Sequence, residues 1–473
     1  MYSIFHAKFD AESVCHPGLR EDRMDDAILA VLGVFGPFYE RDSSLEDGDI
    51  PNRPVEPHVP AQCHVRMPKS TQPICGFTPA TPNAIVNARH GGIVYAVVVN
   101  VCVLQVLLTP FKGANHLPLF AAARDVRFTI VCNRSSVREE DLPSNVRVVA
   151  VPGHIGSYYY GFADFLFARR LLKQYPVTSE FWKGFDVIHI NQTMGPALRK
   201  LRMCGRPLLF LIHHPVTADR EVAVSESGIF RALTWRVKYT LLARWQRAMC
   251  TVAGRIVTVS QTMQKRIAAD YRCPTKKISV VPNGVDGDAF TPVADAECEF
   301  DVIAVGSFLH PRKGFPYLLT VYRRLAASGR RIADIGRRSE AQEAVLRGIP
   351  GVTVHGTVGG DTLINLMRHS RVLVSVSLFE GFGLSLIEAL ACGHPAFAFG
   401  VGAVPEVLGA VDSALVVPAR DTARLVQLVD GYLSLSPAER DRRGAQYRQK
   451  VLNSFSLSAS AEALQALYRE LAQ

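Results

Sequence analysis

The strongest constraint in this sequence is a long series of apolar, strand-length segments that lack polar alternation. Residues 127–132 (RFTIVC), 145–151 (NVRVVAV), 185–191 (FDVIHIN), 207–214 (PLLFLIHH), 255–260 (RIVTVS) and 277–286 (KISVVPNGVD) form one group. Residues 300–307 (FDVIAVGS), 331–336 (RIADIG), 352–356 (VTVHG), 372–377 (VLVSVS), 396–399 (AFAF) and 414–417 (ALVV) form a second. A strand with one wet face alternates polar and apolar side chains, whereas a strand covered on both faces does not. Helical stretches separate these segments, so the chain is α/β, with doubly wound parallel sheets between helices. Ligands of such sheets collect beyond the carboxyl ends of the strands. That rule singles out Asn191, Gln192, His213, His214, Ser260 and Asn283. Ser260 reads as the cap of a helix beginning near Gln261. Asn283-Gly284 reads first as a turn. One of the two histidines that close a strand is a site candidate.

A chain of 473 residues exceeds what one hydrophobic core organises and suits two domains with a remainder. Residues 71–290 are read as the first domain and 291–452 as the second. Residues 453–473 are read as a helix crossing back to the first domain. Residues 1–70 are an N-terminal extension without a readable fold, proline-punctuated at 49–60 (DIPNRPVEPHVP). Residues 291–299 are small, polar and acidic, as an interdomain linker would be. Residues 74–79 (ICGFTP) and 84–88 (AIVNA) are candidate first strands. His90-Gly91-Gly92 then precedes 93–108 (IVYAVVVNVCVLQVLL). This run is shorter than the roughly 20 residues of a membrane span and holds Asn100 and Gln105. It is read as a buried helix, and the glycine pair before it as a place where backbone approaches a ligand closely.

The formal charge is +10, from 53 basic and 43 acidic side chains. Such an excess attracts anionic membrane, phosphorylated substrates or nucleic acid. No block of six like charges and no basic tail supports nucleic acid, which is excluded as a partner. Ten cysteines are scattered without a C-x-x-C pair, as in a reduced, cytoplasmic protein. The N-terminus MYSIFHAKFD lacks the shape of a signal peptide. Cys63-His64 has no second pair at zinc-site spacing, so no metal is expected there. Residues 162–175 and 230–250 mix basic and aromatic side chains at helical spacing. Either helix fits two settings: lying on the cytoplasmic face of an anionic membrane, or packing on the sheet with a solvated face.

Residues 379–395 (FEGFGLSLIEALACGHP) carry the chemistry. Gly381 and Gly383 bracket Phe382 after the 372–378 strand, and Leu386, Ile387, Leu390 and Ala391 then share a helix face. A helix start leaves four N–H groups without partners and suits an anion. Glu380 stands before the turn and Glu388 inside the helix. At 308–315 (FLHPRKGF), a basic glycine loop places Arg312 and Lys313 at another strand-to-helix handover, where charge-assisted contact with a diphosphate is favoured. A third turn into a short helix follows at 402–407 (GAVPEV).

These residues together resemble the retaining glycosyltransferases of family 4, with the GT-B fold. The resemblance rests on Glu380-Gly381-Phe382-Gly383-Leu384 with Glu388, which matches the family's spaced glutamate pair. Arg312-Lys313-Gly314, Pro282-Asn283-Gly284-Val285-Asp286, Gly91-Gly92 and the 402–407 segment add matches in the family's order. It covers the chain from about residue 74 onward. It implies two Rossmann-like domains facing a central cleft and a UDP- or GDP-linked sugar donor held by the second domain, without metal or other cofactor. By carry-over, Glu388 binds the ribose hydroxyls and Glu380 the hydroxyls of the donor sugar. Lys313, aided by Arg312 and by backbone N–H groups of Phe382, Gly383, Leu384 and Ser385, binds the diphosphate. Gly92 admits the first domain to that diphosphate, and His213 matches the family histidine near the transferred sugar. His213, Glu380 and Lys313 are therefore the expected catalytic set. Paired carboxylates act as acid and base in glycoside hydrolases. Here the turn, helix and phosphate loop assign both to donor binding. The acceptor class implied is a glycan, a glycolipid or a small molecule.

Three positions depart from the family pattern. Ser307 stands where arginine is common after the glycine, and Ser385 where proline is common. The Gly-His pair that usually follows the first helix is missing from 110–128 (PFKGANHLPLFAAARDVRF). Ser385 is a mild change, whereas Ser307 and the altered first domain support an alternative, a non-catalytic nucleotide-sugar-binding protein with a degenerate cleft. Retained Lys313, Glu380 and Glu388 argue against it.

Overall fold

A computed structural model describes residues 84–86, 93–95, 98–108, 116–153, 162–294 and 297–473. The N-terminal extension, the candidate strand at 74–79, and Gly91 and Gly92 lie outside the described residues.

The first sheet contains β1 (Val99–Leu104), β2 (Val126–Cys132), β3 (Val146–Ala150), β4 (Val187–Asn191), β5 (Leu208–Leu211), β6 (Arg255–Thr258) and β7 (Ile278–Val280). All pairings are parallel, in the order β7-β6-β5-β4-β1-β2-β3. Its helices are α1 (Leu117–Ala122), α2 (Phe162–Gln174), α3 (Val216–Ser225), α4 (Ile229–Val252) and α5 (Gln261–Tyr271).

The run 93–108 corrects the expectation of a helix. Ile93–Tyr95 pairs antiparallel with Ala84–Val86, and Val99–Leu104 is the central strand β1. The reason is local and tertiary at once. Valines at 98, 99, 101 and 103 are stiff at χ1 and pack well on a pleated surface. Val101, Cys102, Val103 and Leu104 are buried on both faces of the strand, so no alternation marks it. The first strand-to-helix passage therefore follows Leu108, whereas Gly91-Gly92 stands in sequence between two antiparallel strands.

The second sheet contains β8 (Phe300–Val305), β9 (Ile332–Ile335), β10 (Val352–Gly356), β11 (Ser370–Ser375), β12 (Ala396–Phe399) and β13 (Val416–Val417). They are parallel in the order β10-β9-β8-β11-β12-β13. Around it lie α6 (Phe315–Ala327), α7 (Glu340–Arg347), α8 (Gly360–Arg368), α9 (Leu384–Ala391), α10 (Val404–Gly409), α11 (Thr422–Leu433) and α12 (Pro437–Phe455), whereas the last helix, α13 (Leu457–Ala472), packs on the first sheet. Each sheet reverses its strand order once, between β1 and β4 and between β8 and β11. Crevices form at such reversals, and they place the site.

The chain returns to the first sheet at its end. Val285 N–H donates to Phe455 O at 2.8 Å, and Leu457 N–H donates to Val285 O at 3.1 Å. A Cβ on Gly284 would lie 2.5 Å from Leu457 Cα, so the Asn283-Gly284 turn needs glycine for this crossing. Beyond it α13 buries Leu464, Leu467 and Tyr468 in the same core as Phe120, Phe128 and Val101. No helix among the described residues is long and apolar enough to cross a membrane.

Candidate functional site

One half of the candidate site is assembled by backbone contacts at the end of β11. Leu378 N–H donates to Arg312 O at 2.7 Å, which ties the basic loop to the strand end. Gly314 has φ +72°, and a Cβ there would come within 2.2 Å of Val376 O. The turn Pro311–Lys313 is capped by His310, whose Nδ1 accepts from Arg312 N–H at 3.1 Å. Lys313 is thereby delivered to Glu380, with Nζ donating to Oε1 at 2.6 Å. Ser377 Oγ donates to the same oxygen at 2.7 Å, and an Arg312 guanidinium nitrogen lies 3.6 Å from Oε2. Burial alone would raise the Glu380 carboxyl. Lys313 and then Arg312 outweigh it and hold that carboxyl down at about 2. Glu380 is thus a fixed, ionised acceptor.

The remaining motif residues divide between backbone and side-chain roles. Gly383, at φ +94°, is the N-cap of α9, and Leu384 and Ser385 open its first turn. Phe382 is buried edge-on against Phe455, ring centroids 5.4 Å apart, so its side chain belongs to the core. Glu388 lies half-buried one turn on. Burial pushes its carboxyl up to about 7. Ser307 is exposed. Arg312 donates to Phe379 O at 3.0 Å, and its Nε lies 3.1 Å from Asp219 Oδ1.

Asp219, in the first turn of α3, brings the two sheets' loops together. Its other oxygen, Oδ2, lies 3.0 Å from His214 Nε2. The carboxylate is 2 % exposed. Burial opposes its charge, but His214 and Arg312 together hold it well below the usual carboxylate range. His213 precedes this pair at the end of β5, its N–H donating to Gln192 Oε1 at 3.2 Å. A Cβ on Gly381 would sit 2.5 Å from His213 O, so that glycine permits the turn to approach the first sheet's histidine pair. Ser260 caps α5 by accepting from Met263 N–H at 3.1 Å, and its Oγ also donates to Gly381 O at 3.2 Å. Glu406 of α10 accepts from Gln261 N–H and Thr262 N–H, both at 2.8 Å. It therefore caps a helix of the other sheet.

His213 itself stacks on His116, with centroids 5.2 Å apart and planes 18° from parallel. Behind them His189 Nδ1 meets Tyr468 Oη at 2.6 Å. Burial, then the neighbouring His116, His214 and His189, lowers His213 well below the ordinary imidazole range. His213 is a neutral ring throughout the physiological range. The structure thus brings together His213, Arg312, Lys313, Glu380 and the turn into α9. Sequence reasoning missed Asp219, His116, Ser377 and Glu406. Asp219 had a readable signal, an acid five residues after His214 at a helix start, and Glu406 and Ser377 lay inside segments already singled out. Among the described residues, no group of three His, Cys, Asp or Glu side chains could hold a metal ion.

A family model described as Glycosyltransferase Family 4 matches residues 119–289, and one described as Glycosyl transferases group 1 matches residues 299–434. An MMP alpha-(1->4)-mannosyltransferase of Mycolicibacterium hassiacum is 32% identical over 307 residues, covering 60% of this chain and 71% of that protein. The chain is a family 4 glycosyltransferase. The gpi3 subunit of a phosphatidylinositol N-acetylglucosaminyltransferase of Schizosaccharomyces pombe is 30% identical over 163 residues, 33% of this chain and 36% of the subunit. The fold of this glycosyltransferase matches solved structures. A sucrose-phosphate synthase from Thermosynechococcus elongatus superposes with a TM-score of 0.62 at 19% identity, covering 79% of this chain and 99% of the other. Anabaena HepE, solved in complex with UDP and glucose, gives 0.56 at 15% identity, covering 78% and 99%. The two doubly wound sheets are those of the GT-B fold.

Proposed function

We propose that this glycosyltransferase moves a hexosyl residue from a UDP- or GDP-linked donor to a hydroxyl acceptor with retention of configuration, without metal. The observation that carries this reading is the ionised Glu380 bound by Lys313 beside the turn into α9, at the strand reversal of the second sheet. Departure of a diphosphate builds negative charge, and stabilising it is the main catalytic task. Lys313 and the first-turn amides of α9 supply that stabilisation, Arg312 assisting. Glu380 accepts from the donor-sugar hydroxyls, and Glu388 from the ribose hydroxyls. His213, neutral and held by its stack on His116, contacts the sugar being transferred. The name of the Anabaena complex supports a UDP-sugar, and the mannosyl and N-acetylglucosaminyl relatives support a hexosyl group. In this reading residues 71–290 face the acceptor, which is a glycan, glycolipid or small molecule. Residues 291–452 bind the donor, residues 453–473 cross back, and the protein works in the cytoplasm. Gly92 remains the proposed backbone approach to the diphosphate.

The test is a screen of UDP- and GDP-sugars for nucleotide release and transfer, run with Lys313→Ala in parallel. One donor should be turned over, and the variant should lose about 100-fold in kcat/KM, the scale of one lost charge-stabilising donor. Undiminished turnover by the variant, or a nucleotide anchored away from Lys313 in a ligand-bound crystal, would overturn the reading.

A further inference from the structure

Helix α4 has an apolar surface that the rest of the described residues do not cover. Ile229 is 87% exposed, Phe230 89%, Leu233 62% and Val237 42%. Ile229, Leu233 and Val237 are spaced i, i+4, i+8, so they form one stripe on the first two turns, with Phe230 on its flank. Scattered apolar side chains on a surface are ordinary, but a contiguous stripe on one helix is not. Along the same stripe Arg236, Arg244 and Arg247 are exposed. Five basic residues and no acidic residue occur in the 24 residues of α4.

We infer that this face of α4 docks on an anionic lipid bilayer, its first two turns entering the headgroup boundary and its arginines meeting the lipid phosphates. The charge distribution selects this occupant. A helix with an apolar stripe and a purely basic remainder matches a surface that is greasy beneath and negative above. A second copy would bring the same basic helix against this one, setting arginine against arginine across the two-fold. The inference stands apart from the transfer reading, since it depends on no site residue.

The opposite face of α4 explains what docking would serve. There Tyr239 is buried, and its hydroxyl meets His310 Nε2 at 2.8 Å, while Trp235 lies 5.4 Å from the His310 ring. His310 caps the turn that carries Lys313. One helix thus bears the lipid-facing stripe on one side and the diphosphate loop on the other. Seating it on a bilayer fixes that loop at the membrane surface, where a lipid-borne hydroxyl would be presented.

The experiment is co-sedimentation of the full chain with vesicles of phosphatidylcholine alone and of phosphatidylcholine with one-third phosphatidylglycerol, at low and high salt. Two variants are compared, Ile229→Asp with Phe230→Asp, and Arg236→Glu with Arg244→Glu and Arg247→Glu. All five positions are exposed, and unchanged melting curves and nucleotide affinity without vesicles verify the fold and the donor site. The wild type should bind the anionic vesicles and leave them at high salt. The apolar variant should bind at least about tenfold more weakly, and the charge-reversed variant on the order of 100-fold more weakly. Equal binding to neutral vesicles, or variants that bind like the wild type, would overturn the inference. So would a wild-type dimer that either variant converts to monomer, because the stripe would then belong to a second copy.

Discussion

Asp219 and Arg312 form an ion pair, 3.1 Å from Oδ1 to Nε, between a helix of the first sheet and the basic glycine loop of the second. Both are largely buried, the side chains 3% and 16% exposed. The pair joins His214 on one side to Phe379 O and Glu380 on the other. Removing one partner of a buried pair strands the other charge without solvent. Asp219→Asn keeps the shape and deletes the charge, and it should destabilise the protein by about 3 kcal/mol near neutral pH. The Asp219 carboxyl is held below its ordinary value, so its contribution is present above that value and fades as pH falls through the lower, folded one. Denaturant unfolding at neutral and at acid pH should show the difference between variant and wild type shrinking in acid. Equal unfolding midpoints at neutral pH would show that the pair stabilises nothing.

Glu388 should make nucleotide binding depend on pH. Burial raises its carboxyl to about 7, so in the free protein it is half protonated near neutrality. A carboxylate accepts two ribose hydroxyls better than a carboxylic acid does. Affinity for UDP or GDP should therefore rise as pH increases through 7 and level off above it. The same shift has the opposite sign for stability without ligand. That contribution is complete below the ordinary glutamate value and lost as pH rises towards about 7. Calorimetric titration across this range, repeated with Glu388→Gln, separates the residue from the titration of the nucleotide's own phosphate. A variant with the same pH profile as wild type would remove Glu388 from the nucleotide site.

The sequence disclosed the sheets wherever apolar strands ended in glycine, proline or polar residues, as at Val257-Thr258-Val259-Ser260 or Val374-Ser375-Val376-Ser377. It misled at 93–108, where valine-rich burial on both faces looks the same in a helix and a central strand. The glutamate turn and Lys313 were legible because glycines with positive φ and a basic loop leave local marks. Asp219, His116 and Glu406 were not, because their significance arises from contacts between elements distant in sequence. Glu406 meets Gln261 and Thr262 across 145 and 144 positions.

Gly314 should tolerate no side chain. Its φ of +72° is a left-handed conformation that costs an L-residue roughly 1–2 kcal/mol. A Cβ would also sit 2.2 Å from Val376 O, backbone that cannot swing aside. Gly314→Ala should lower the melting midpoint and move the Arg312-Lys313 turn off β11. Nucleotide affinity should fall about tenfold, equivalent to 1.4 kcal/mol. Gly329 provides the internal control, since it has φ +73° but nothing within 4 Å of the added Cβ. Gly329→Ala should carry the conformational cost alone and leave nucleotide affinity unchanged. Equal losses of affinity in both variants would mean that the contact with Val376 does not position the loop.

His213 and Lys313 should separate by kinetic signature. Lys313 is bonded to Glu380 before any donor arrives, and in the proposed function it binds the diphosphate and stabilises its departure. His213 stands on the other sheet, fixed through its backbone by Gln192 and through its ring by His116. In the proposed function a neutral imidazole there contacts the sugar and not the nucleotide. His213→Ala should therefore lower kcat by about 100-fold while the affinity for free UDP or GDP stays near wild type. Lys313→Ala should weaken both. Because burial already keeps His213 neutral, its loss should leave the shape of the pH–rate profile between pH 6 and 8 unaltered. A new ionisation in that range after His213→Ala, or a matched loss of free-nucleotide affinity, would move His213 from the sugar to the diphosphate.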